Sequence, residues 1–175
     1  KVNKEPQAIR ERYGENGFGR GCLLSRRLVE TGVSFVEVNL GGWDNHRDIF
    51  PVLKDQRLPE LDQAMSALIE DLSQRGLLET TTLIWMGEFG RTPRINANAG
   101  RDHWPRSWSV VVGGGGLQGG QSIGKTDREG VEVVGKAYEA SDLFATLCHS
   151  LKIPSDIVYT SRTGRPVKIT DNGQL

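Results

Sequence analysis

The sequence predicts an α/β fold with a mainly parallel sheet, and three observations carry that expectation. Segments with helical periodicity alternate with short β-branched or apolar runs. The run Thr81–Met86 is apolar almost throughout, as a strand is when both its faces are covered. Glycines stand at the ends of these segments, at 32, at 41 and 42, and at 76.

Phe18 to Glu30 reads as a helix, with Phe18, Cys22, Leu24, Leu28 and Val29 on a wide apolar face and Gly32 as its C-terminal glycine. Val33 to Leu40 reads as a strand, rich in β-branched and aromatic residues. A second helix covers Leu58 to Arg75. Its apolar stripe is Leu58, Leu61, Met65, Leu68 and Leu72, and Pro59 either opens it or kinks a longer helix that starts near Ile49. Thr81–Met86 and Trp108–Val112 are the next strands. Ser141 is the expected N-cap of a helix through Leu151, and Pro154 follows its end. The tail from Ile157 to Ile169, with Thr163-Gly164-Arg165-Pro166, reads as a loose hairpin.

A chain of 175 residues suits one domain with a real core. Its 22 basic and 22 acidic residues cancel, so no global field draws it to nucleic acid or to an anionic membrane. No apolar stretch approaches a membrane span. The first residues lack the apolar core of a signal peptide. Cys22 and Cys148 lie far apart in helical patterns and read as buried free thiols.

The chemistry concentrates where predicted strands end. Gly41-Gly42-Trp43-Asp44-Asn45-His46 follows the first, and Gly87-Glu88-Phe89-Gly90-Arg91-Thr92-Pro93 follows the second. The latter loop runs on to Arg101-Asp102-His103-Trp104. Open α/β sheets bind ligands at such positions. Asp44 and His46 are two apart, so in extended chain they point the same way and can grip one ion. His103, Asp102 and Glu88 add one imidazole and two carboxylates. Neutral imidazole with carboxylate suits a divalent metal: zinc first, with manganese, iron or calcium as alternatives. Arg47, Arg91, Arg101 and Arg106 crowd the same loops, either as surface ion pairs or as clamps for an anionic group. Arg91, close behind Glu88, is the preferred catalytic clamp. Trp43 and Trp104 flank the ligands. His149, near a helix end, reads as structural.

Gly119 to Thr126 satisfies the formal phosphate-loop pattern, which needs a strand before it and a helix after it. Gly130 and the alternation around Val131 and Val133 oppose that helix, so the glycine-rich stretch reads as a turn between strands and nucleotide binding is a remote alternative.

The three motifs around Asp44, Glu88 and His103, in that order, resemble a bacterial, planctomycete-type family of sulfatase-like proteins of unknown function in the alkaline phosphatase and arylsulfatase superfamily. The resemblance implies a three-layer α/β/α fold, incomplete in this chain, with one or two divalent metals. Asp44, His46 and His103 match one metal's ligands in kind and order, and Glu88 matches an acidic ligand of a second. Phe89 departs from the pattern, because superfamily phosphatases often place a histidine there. The family's nucleophile and another ligand would precede residue 1, making this the C-terminal part of a longer, exported, periplasmic-type protein. The expected activity is metal-dependent hydrolysis of a sulfate or phosphate ester on a small molecule or carbohydrate. A non-catalytic binding protein with a degenerate hydrolase site is the alternative.

Overall fold

A computed structural model describes residues 2–175. Its helices are α1 (Gln7–Tyr13), α2 (Gly17–Glu30), α3 (Ile49–Val52), α4 (Leu58–Gln74) and α5 (Ala140–Ser150). Its strands are β1 (Thr82–Trp85), β2 (Gly90–Arg91), β3 (His103–Trp104), β4 (Val111–Gly114), β5 (Val158–Thr160) and β6 (Pro166–Lys168). The chain divides into two compact units. One holds the residues up to Thr81 together with Arg91–Trp104; the other holds Thr82–Gly90 and Pro105–Leu175.

The expected parallel sheet is not there. The strands form three two-stranded antiparallel sheets, β1 with β4, β2 with β3 and β5 with β6. That excludes the mainly parallel α/β class and the three-layer α/β/α arrangement. The physical reason lies between β1 and β4. A parallel return needs a crossover, usually a helix, and among the described residues no helix lies between them. The chain comes back antiparallel, with Thr82 opposite Gly114 and Trp85 opposite Val111. The expected strand Trp108–Val112 is accordingly shifted toward the glycines. Val33–Leu40, expected as the first strand, is not a strand and pairs with no described strand, and Phe35 within it is 79% exposed.

The helices follow the sequence pattern more closely. Asn16 caps α2, its side chain accepting from Gly19 N at 2.7 Å. At the other end Gly32 (φ 86°) lets the amides of Gly32 and Val33 reach back to the carbonyls of Val29 and Leu28. Gly76 (φ 69°) closes α4 in the same way. The backbone runs from α3 through a π-helical turn (Leu53–Arg57) into α4. Pro59 explains the wider turn: it cannot donate a hydrogen bond, and its ring crowds the carbonyl four residues earlier. The start expected near Ile49 and the proline irregularity are therefore features of one continuous helical path.

In the first unit α1, α2 and α4 pack around Tyr13, Phe18, Cys22, Leu23, Leu61, Ala64, Leu68 and Leu72, all buried. Burial in this apolar setting pushes the Cys22 thiol up to about 12, so it stays a protonated core residue. Arg26 is also buried, its side chain 3% exposed, and is held by Glu30 (2.6 Å), Asp71 (3.0 Å) and Glu5 (3.1 Å). Asp71 further accepts from Tyr13 Oη at 2.9 Å and pairs with Arg75 at 2.8 Å. A buried charge is tolerated when it is paired this fully.

In the second unit α5 begins earlier than expected. Glu139, not Ser141, is the N-cap, and its side chain forms a reciprocal capping box with Asp142. The other oxygen of Asp142 accepts from Gln174 N at 2.8 Å, which ties the C-terminal segment to the helix start. Burial there includes Ala145 and Cys148. The tail hairpin is present as β5 and β6, with Val158 opposite Lys168.

Candidate metal centre

The candidate centre lies entirely in the first unit and is built from two loops. Gly42 (φ 86°) turns the chain ahead of Asp44. The guanidinium of Arg57 packs against it, so an added Cβ would push that side chain aside. The loop from Asn45 to Ile49 is then stitched to the loop from Asn98 to Arg101 by three backbone hydrogen bonds. Asp48 N donates to Asn98 O (3.1 Å), Ile49 N to Ala99 O (3.0 Å) and Arg101 N to Asn45 O (3.0 Å). Gly100 is buried against the His46 carbonyl, where a side chain would collide. Together these contacts bring His103 to Asp44 and His46 across 59 residues of sequence.

Asn96 is the keystone. Its side-chain oxygen accepts from the amides of Asn98 and Gly100, each at 2.9 Å. Its side-chain nitrogen donates to His46 O and to Asp102 Oδ1, each at 3.1 Å. The sequence reading passed over Asn96; the turn residues around it, Asn-Ala-Asn-Ala-Gly, were the available signal. Thr92 Oγ1 accepts from Asp102 N at 3.1 Å and holds the other side of that loop.

One ligand atom each from Asp44, His46 and His103 lies within 4.8 Å of the others. His46 Nε2 is 2.9 Å and His103 Nε2 is 3.1 Å from the same oxygen, Asp44 Oδ1. The imidazole centroids are 5.1 Å apart. His46 Nδ1 meets Asp102 Oδ1 at 2.7 Å. An ionised carboxylate only accepts, so this contact puts a ring proton on Nδ1, and in the neutral tautomer that leaves a lone pair on Nε2. That lone pair faces another acceptor, Asp44. Such a contact is favourable with a proton or a cation between the two atoms. Two imidazole nitrogens and one carboxylate oxygen fit zinc, and three protein ligands leave a coordination position open. The group is half open to solvent: the side chains of Asp44, His46 and His103 are 64%, 44% and 51% exposed.

Arg91 Nη1 also meets Asp44 Oδ1, at 2.6 Å. Its guanidinium is the main cause that holds the Asp44 carboxyl down at about 2, with the hydrogen bond from His103 second. Asp102 is likewise held below its ordinary value, by His46 first and Asn96 second.

Glu88 belongs to the second unit, is exposed, and is not part of the Asp44–His46–His103 group. Arg101 donates to the carbonyls of Thr92 and Pro93 and so braces the loop. Arg106, in the second unit, pairs with Glu132 at 2.7 Å. Arg47 is exposed, Trp43 and Trp104 are half-buried, and His149 stands in the last turn of α5. No helix directly follows Gly119–Thr126. Instead Thr126 makes an antiparallel bridge to Val133, so this stretch lacks the strand–loop–helix frame that phosphate binding uses. No helix among the described residues is long and apolar enough to cross a membrane.

The chain belongs to a family described as "Protein of unknown function (DUF1501)", whose family model matches residues 1–175. This finding replaces the resemblance drawn from the motifs: the match extends over the whole chain, and nothing in it indicates a sulfatase-like family. No curated protein and no solved structure matches the chain.

Proposed function

Starting from membership of that family, we propose that the chain carries a divalent-metal site, zinc by preference, that serves hydrolysis of a sulfate or phosphate ester. The carrying observation is the convergence of Asp44 Oδ1, His46 Nε2 and His103 Nε2 within 4.8 Å, with an arginine on the same carboxylate.

Asp44, His46 and His103 would hold the ion. Bound there, it would supply Lewis acidity to the ester and lower the pKa of a coordinated water. Asp102 would keep His46 oriented and its Nε2 unprotonated through the Nδ1 contact. Arg91 would offer its fork to the oxygens of the transferred group, where negative charge builds during displacement.

Elemental analysis of the purified protein, paired with a screen of aryl sulfate and aryl phosphate esters, tests this reading. The expected result is metal near one equivalent, lost in D44A and H103A, and ester turnover that EDTA abolishes. Metal content unchanged in both variants would falsify the ligand assignment. Metal binding without turnover would leave the centre as a cation-binding site alone and remove the hydrolase.

A further inference from the structure

Resting on the metal-site reading, we propose that Arg91 is the resident counter-cation of this centre. It neutralises Asp44, and a divalent cation that takes this carboxylate releases it to bind the anionic ligand.

The argument begins with crowding at one atom. Asp44 Oδ1 is contacted by Arg91 Nη1 at 2.6 Å, His46 Nε2 at 2.9 Å and His103 Nε2 at 3.1 Å. A zinc ion sits about 2.0–2.2 Å from each carboxylate oxygen or imidazole nitrogen that it binds. It must therefore occupy the space among these same atoms. Arg91 Nη1 is held against the oxygen that the ion needs. Two positive groups on one exposed carboxylate oxygen repel each other, so arginine and metal compete for Asp44.

The arginine can yield by a side-chain movement. Its side chain is 23% exposed, and a guanidinium on a long stem can shift by rotamer change without moving the backbone. Once released it stands beside the metal position. A planar fork of donors in that place matches a tetrahedral oxyanion. Filling the site thus frees the anion clamp, and occupying the clamp keeps it off Asp44. The two ligands then bind with positive coupling, and by linkage each raises the other's affinity by the same factor.

A static clamp predicts something else. If Arg91 only awaited substrate, removing it would leave metal affinity unchanged. If it buttressed the site, removing it would weaken metal binding.

Calorimetric titration of zinc chloride into the intact protein, with and without saturating inorganic sulfate, separates these cases. The wild type should bind zinc about two- to fivefold more tightly when sulfate is present, the scale of an exposed ion pair. R91Q should bind zinc about two- to fivefold more tightly than the wild type in the absence of sulfate. It should also lose the response to sulfate. R91M is a second neutral variant that must behave alike, and it decides the matter if R91Q loses its helical circular dichroism. Equal or weaker zinc affinity in the folded neutral variants overturns the counter-cation proposal while the metal site stands. Absence of zinc binding by the wild type, with H103A indistinguishable from it, overturns the site and the proposal together.

Discussion

His46 Nδ1 lies 2.7 Å from Asp102 Oδ1, so the ring turns its other nitrogen toward Asp44. A metal-binding histidine ordinarily has such a partner on its second nitrogen, and the partner sets the tautomer. On the proposed metal reading Asp102 is therefore a positioning residue rather than a ligand. D102N should weaken zinc binding about tenfold without abolishing it. Calorimetry of D102N beside H46A checks this: equal loss in both would make Asp102 a direct ligand, and no loss would remove its role.

Gly100 should tolerate no side chain. An added Cβ would collide with the His46 carbonyl and the Arg47 amide, both backbone. G100A should cost about 1–3 kcal/mol of stability and displace the His46 loop. Zinc affinity should fall in G100A while a control such as A97G binds normally. Normal zinc affinity in G100A would show that the two loops are not held together as described.

The Arg26 network gives a third expectation. Removing this arginine leaves Glu5, Glu30 and Asp71 without a partner they share in a mostly buried place. R26A should destabilise the first unit by about 3–5 kcal/mol in urea. A loss below about 1 kcal/mol, the size of an exposed pair, would place the network at the surface instead.

The same network predicts an acid limb. Burial acts to raise the Asp71 carboxyl, but hydrogen bonds from Arg75 and Tyr13 and the nearby Arg26 charge outweigh it and hold it below its ordinary 3.8. A carboxyl depressed in the folded state contributes stability that is complete above the unfolded value. That stability is lost as pH falls from there through the folded value. Chemical denaturation between pH 6 and pH 2, on the order of the range over which such carboxyls titrate, should show this loss in the wild type and a flatter profile in D71N. Superimposable slopes would exclude Asp71 as a contributor.

At the other end of the chain, Asp142 accepts from both Glu139 N (2.9 Å) and Gln174 N (2.8 Å). D142A should lose about 1 kcal/mol through the cap. It should also raise amide exchange at Gln174. Unchanged protection at Gln174 would detach the tail from this contact.

How much of this was legible depends on which physical signal each feature leaves. Helical periodicity marked α2 and α4, because Phe18 and Cys22, and Leu61, Leu68 and Leu72, recur at the helical repeat and are buried. Glycines 32 and 76 marked their ends, because a positive φ there favours that residue. Strand direction left no such mark. The side chains of Thr82–Trp85 look alike whether the neighbour runs parallel or antiparallel, and the lack of a crossover helix was the feature that mattered. The α5 cap was misplaced because Glu139 was passed over for a better capping residue two positions on. At the candidate centre the residue types drew attention to Asp44, His46 and His103, and the chain brings them together. Glu88 follows a strand as they do, but it falls in the second unit and is not one of that group of three. The Arg26 network was invisible, because Glu5, Arg26, Glu30 and Asp71 each read alone as solvated charges.

The half-open setting of the Asp44–His46–His103 group has a kinetic consequence. A cation held there would be open to a competing chelator without waiting for any part of the fold to unlock. Occupancy should then track the free metal concentration within the dead time of a stopped-flow mixer, and the protein should behave as a reversible reader of its ionic surroundings.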